Sequence, residues 1–219
     1  KNQKMKKILS IVLFIVAGYF IFNQVMDAPE SNSLKRISKT YYQGEYQTAK
    51  SELEEFLKEY PNSTSGWAFL GLVNLELNDT LNAELGFKKG YELDSENDRA
   101  IVGLGVIERM RGNYEGARKY YEEAIKVNPR NPNAYSSLLM LELKNENYPK
   151  AVELGEKARS LNLINHRPGI LGNLAIAYHY NNQFQERDET LQKLEIMNYQ
   201  DLEYIKMIIN GTVDLIDLL

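Results

Sequence analysis

Cysteine is absent from this 219-residue chain, so no disulfide framework, thiolate metal site or cysteine nucleophile is available. Histidine occurs only as His166 and His179, without the H-E-x-x-H spacing of a zinc hydrolase. No G-x-S-x-G elbow and no S-x-x-K pair is present. A basic excess is lacking as well. The formal net charge is −4, and Lys1, Lys4, Lys6 and Lys7 all precede the first apolar run. Leaving those four out gives 22 basic against 30 acidic residues, or −8 for the remainder. Such a balance repels phosphate backbones and argues against nucleic acid as a partner. Charged residues at 26% and hydrophobic ones at 43% give a globular composition.

What is present begins with an uncharged stretch, ILSIVLFIVAGYFIF at residues 8–22. The lysines of segment 1–7 precede it and Asp27 and Glu30 follow, a bias that keeps the basic end cytoplasmic. Extended through Asn23 and Gln24 to Met26, the run 8–26 reaches the length of a transmembrane anchor in an N-terminal hydrophobic helix. Its apolar core also suits a signal peptide, although no A-x-A stands close behind Phe22. Both readings stay open, the anchor being favoured by the weak processing site. Either places the remainder across the membrane, in a bacterial periplasm or outside the cell. Residues 27–33 (DAPESNS) read as a polar linker.

The rest is periodic. Ala49, Ala83, Ala117 and Ala151 stand at steps of 34 residues. A period of that length marks helix pairs that cannot bury their apolar faces alone and therefore stack. One unit opens Trp67-Ala68-Phe69-Leu70-Gly71 and continues to Ala83 and Phe87. The next carries Leu104, Gly105, then Gly112-Asn113-Tyr114-Glu115-Gly116-Ala117, Tyr121, Ala124 and Pro129. Gly71 and Gly105 leave room for the second helix, and the alanines do so from its side. Leu70, Leu104, Leu138 and Leu174 fill the space between at helical spacing. Pro61 and Pro129 stand where second helices stop. Gly44, Gly112, Asn78 and Asn145 to Asn147 mark turns.

These residues resemble the tetratricopeptide repeat, W-x₂-L-G-x₂-Y then A-x₃-F then P. The resemblance implies an all-α, right-handed solenoid of about five helix-turn-helix repeats across 34–201. The repeat windows lie near 30–63, 64–97, 98–131, 132–165 and 168–201. The first is degenerate at its start, with Ser33, Arg36 and Ile37 replacing the aromatic, Leu and Gly. The fourth has Leu139 for the glycine and Gly155 for the aromatic, and the fifth carries Arg187 where the alanine belongs. Residues 202–219, broken at Asn210-Gly211, supply a capping helix through Leu202, Ile205, Ile208 and Ile209. Leu215, Ile216, Leu218 and Leu219 add an apolar end that packs on the array or serves self-association.

No cofactor and no catalytic constellation emerges. Gly103-Leu104-Gly105 is helix-packing glycine rather than a dinucleotide loop, since Glu108 stands where the third glycine belongs. Acidic pairs such as Glu54-Glu55 read as solvated helix faces. The resemblance implies a concave binding groove on first helices, at Leu72, Leu75, Glu76, Arg99, Val102, Val106, Arg109, Met110, Met140, Leu143, Lys144, Ile176, His179 and Tyr180. Its mixture of methionine, aliphatic and basic groups suits a peptide with acidic character. A clamp for a terminal carboxylate is unsupported, because Leu34, Ser38, Phe69 and Val102 hold the places of its Lys and Asn. The expected role is that of a non-enzymatic, membrane-anchored adaptor for protein partners in envelope assembly or export. The rivals are a soluble exported binding protein and a regulatory subunit of an enzyme.

Overall fold

The computed structural model describes residues 29–161 and 168–215. Among them are eleven helices and no strand. Five antiparallel pairs are α1 (Pro29–Tyr42) with α2 (Tyr46–Glu59), α3 (Thr64–Glu76) with α4 (Thr80–Leu93), α5 (Asp98–Met110) with α6 (Tyr114–Val127), α7 (Pro132–Lys144) with α8 (Tyr148–Leu161), and α9 (Pro168–Tyr180) with α10 (Phe184–Ile196). Helix α11 (Leu202–Ile209) closes the stack against α9 and α10. The chain is thus an all-α solenoid with a terminal cap, as the period of 34 requires.

The helix ends follow local chemistry. Ser63, Asp79, Asn97, Asn113 and Asn131 each accept a backbone N–H from the first turn of the helix they precede. Inside each pair the chain reverses through one left-handed residue: Gly44, Asn78, Gly112, Glu146 and Asn182, with φ between 57° and 80°. The first four lie 34 residues apart and the fifth is displaced by two. Glycine and asparagine tolerate that backbone, which is why the turns were legible.

One boundary differs from expectation. Helix α1 begins at Pro29, so residues 29–33 of the stretch read as linker are helical. Proline is compatible with a first helical turn, where its missing N–H has no intrahelical role, and Glu30 complements the dipole there. The proposed anchor at 8–26 lies outside the described residues. Among the described residues, no helix is long and apolar enough to cross a membrane.

The interior is built from small-against-large contacts. Ala49, Ala83, Ala117 and Ala151 are all completely buried. A methyl group added at Gly71 would meet the Phe87 ring at 2.7 Å, and one at Gly105 would meet Tyr121 at 2.4 Å. The fourth unit exchanges the sizes. Leu139 fills the first helix, and a methyl on Gly155 would meet its Cδ1 at 2.6 Å. Total volume is conserved while the chemistry at each position is not.

The apolar side chains fall into three clusters rather than one. Tyr91 and Tyr120 bridge the second and third. Between the first two, backbone replaces side chain: a methyl on Gly86 would stand 2.8 Å from the Gly71 nitrogen. At the far end Leu202, Ile205 and Ile208 are buried, and Ile205 occupies the space beside Gly172. This segment therefore covers the fifth unit, as its apolar pattern required.

Candidate functional site: a groove on the first helices

First helices of successive units lie side by side, so residues 34 apart form columns across them. An open depression of about 710 Å³ lies across α1, α3, α5 and the start of α7. Its lining follows those columns. Ser31, Ser65, Arg99 and Asn133 form one edge; Leu34, Ala68 and Val102 run beside them. Further columns are Lys35, Phe69 and Gly103, then Ser38, Leu72 and Val106, then Tyr41 and Leu75. Outside the columns, Glu30 and Asn131 stand at the same edge, and Phe87 of α4 reaches the floor.

Phe87 reaches it because Gly103 lacks a side chain. A methyl there would lie 2.3 Å from the ring. On α5, Arg99 and Val106 stand one turn to either side of that gap, on the same helical face. The result is an apolar floor rimmed by polar groups, the usual make-up of a recognition surface.

Five of the positions read as inward from sequence converge here: Leu72, Leu75, Arg99, Val102 and Val106. The others do not line this depression. Glu76 accepts a hydrogen bond from the Tyr41 hydroxyl at 2.8 Å, and burial followed by that bond pushes the phenol's pKa up. Met110 is exposed, while the half-buried Arg109 is engaged in an interaction of its own. Met140, Leu143 and Ile176 are core residues, at 9%, 1% and 0% exposure, because the later units pack more tightly over α7 and α9. The Lys144 ammonium sits 4.3 Å from the centre of the Tyr114 ring.

His179 and Tyr180 belong to a separate aromatic group. Tyr180 stacks on Tyr148 at 5.4 Å, and His179 meets Arg187 at 3.1 Å. Burial and then the Arg187 charge lower the His179 pKa. Arg187 itself lies over Phe184, which accounts for a large cation at the position where the other units hold alanine.

Sequence reasoning placed Leu34 and Ser38 at inward clamp positions but left the first unit out of the groove. Leu34, Lys35, Ser38, Tyr41 and Tyr42 all face the depression, each 34 residues before a position in a later unit. That spacing would have found them. The loss of the aromatic, leucine and glycine at the unit's start obscured it.

Known proteins agree with this geometry. Models described as tetratricopeptide repeat match residues 36–63 and 102–162. Over those residues the helices carry tetratricopeptide repeats. "Probable biofilm formation methyltransferase WspC" of Pseudomonas putida is 28% identical over 97 residues, which are 44% of this chain and 23% of WspC. The chain spans less than a quarter of the length of the curated relatives it matches.

Among solved structures, the thermophilic tetratricopeptide repeat protein TTC0263 of Thermus thermophilus superposes with a TM-score of 0.64 at 22% identity, covering 83% of this chain and 97% of that one. The Cut9–Hcn1 hetero-tetramer of the APC/C gives 0.68 at 14% identity, covering 87% and 38%. At such identities the likeness is one of fold. A tetratricopeptide repeat solenoid is suited to protein–protein interaction and is not typically catalytic.

Proposed function

We propose that this chain is a non-enzymatic adaptor that holds a segment of a partner protein in the groove across α1, α3 and α5. The observation carrying this reading is the column-by-column convergence of Leu72, Leu75, Val102 and Val106 on one open apolar floor. Solenoids of this kind use ordered apolar groups on an open concave face to bind ligands. The Cut9 structure, solved with Hcn1 in a hetero-tetramer, supports the use of such a stack for assembly.

The run at 8–26 would tether the array to a membrane, with the groove on the extracytoplasmic side. Tethering raises the effective concentration of partners in the same membrane, which suits envelope assembly or export. Support for this part is the length of the uncharged run and the lysines before it.

Leu72 is 38% exposed, and Val106 is half-buried against the core cluster, so helicity is checked in both variants. Affinity capture from native membranes with the wild type, Leu72→Asp and Val106→Asp tests the groove. The wild type retains a defined set of proteins and both variants lose them, with unchanged helicity by circular dichroism. Equal capture by all three would remove the groove as the binding face. Carbonate extraction and mass spectrometry of the mature amino terminus test the tether separately.

A further inference from the structure

Two cations line the groove, Lys35 and Arg99, and both are exposed. Among the described residues neither lies within 4.0 Å of a carboxylate, whereas cations elsewhere in the array repeatedly find one. Lys50 pairs with Asp79, Arg111 with Glu84 and Arg118 with Glu142. Only one carboxylate lines the same groove, Glu30, and it accepts a hydrogen bond from the Ser63 hydroxyl at the cap of α3. The groove thus carries an excess of positive charge within a chain of net charge −4.

Arg99 stands one turn from Gly103, where the missing side chain deepens the floor down to Phe87. We infer that the groove is selective for an acidic, apolar segment: one large apolar side chain seats over Gly103 against Phe87, and carboxylates beside it meet Arg99 and Lys35. The inference rests on the groove being the binding face and adds the chemistry of its occupant. Unpaired cations beside an apolar floor steer and orient an anionic ligand more than they raise affinity, so selectivity is the property to measure. It differs from capture of a chain terminus, since the charges recognised belong to side chains along the segment.

The test uses the full-length chain and three labelled peptides of equal length with leucine and phenylalanine at alternate positions. The intervening residues are glutamate in the first, asparagine in the second and lysine in the third. Fluorescence anisotropy at low salt is expected to rank them glutamate, asparagine, lysine, with about fivefold between successive peptides, the scale of one or two exposed charge pairs. Added salt narrows the spread. Arg99→Glu, at an exposed site without an ionic partner among the described residues, removes or reverses the order. Leu72→Asp weakens all three.

Equal affinities for the three peptides, an order untouched by Arg99→Glu, or no binding by any of them would each overturn this inference. If instead all three bind equally and Leu72→Asp abolishes them, the groove remains the binding face and only the proposed selectivity falls.

Discussion

Glu146 occupies a left-handed backbone, φ 57°, where two equivalent turns use glycine and two use asparagine. A glutamate pays a steric penalty there that glycine does not. Glu146→Gly should therefore raise stability by about 0.5–1 kcal/mol, read as a higher urea midpoint with an unchanged m-value. A lower midpoint would show that the turn depends on the glutamate side chain.

Glu84 is the residue with the clearest pH dependence. Hydrogen bonds from Arg111 and then Lys88 hold its carboxyl pKa down to about 2, against an ordinary 4.5. A depressed carboxyl pKa stabilises the fold above the ordinary value, and the contribution is lost as pH falls from 4.5 towards 2. Glu84→Gln should lower Tm at pH 7 and match the wild type near pH 2. Parallel Tm profiles over that range would contradict the assignment.

At the scale of the helix pair, packing depends on which helix carries the large group. Gly71 faces Phe87 and Gly105 faces Tyr121, but Leu139 faces Gly155. Gly155→Phe alone collides with Leu139 and Leu174, at a cost of about 1–3 kcal/mol. Leu139→Gly alone empties a fully buried site and costs about 3–5 kcal/mol. Together they restore the arrangement of the second and third units, so the double mutant should be more stable than the sum of the single losses by about 1–3 kcal/mol. Urea unfolding of the four proteins measures this directly. Strict additivity would mean that the two positions do not share one space.

Such exchanges explain what the sequence made plain and what it concealed. The alanine column, the prolines beyond α2 and α6 and the turn glycines were legible because each meets a constraint of its own backbone or nearest neighbour. The start of α1 was not, because Asp-Ala-Pro-Glu-Ser also suits a linker, and only packing against α2 and Ser63 makes it helical. Met140 and Ile176 were misplaced in the groove for a related reason. Their columns match Leu72 and Val106 or lie beside them, but burial varies along the stack, and period alone carries no depth.

Over the whole molecule, one position of the second helices sets the junctions between units. Lys50, Glu84 and Arg118 lie 34 apart, and each forms an ion pair with the next unit, to Asp79, Arg111 and Glu142. The sign reverses at each step, so a unit that skips one neighbour meets like charge, Lys50 against Arg111 or Glu84 against Glu142. These pairs contribute to order in the stack more than to its net stability. The outcome is a rigid array whose two surfaces differ: Leu72 and Val106 face the groove, whereas Leu81 and Leu85 are exposed on α4, at 70% and 57%.

That difference allows the most direct test of the central claim, that partners are held on the first-helix face. A photoreactive side chain is introduced separately at Leu72, Val106, Leu81 and Leu85, and each protein is irradiated in native membranes. Crosslinks to one shared set of proteins from Leu72 and Val106, absent from Leu81 and Leu85, are the predicted result. The same proteins crosslinked from Leu81 and Leu85 alone would place binding on the outer face and contradict the account.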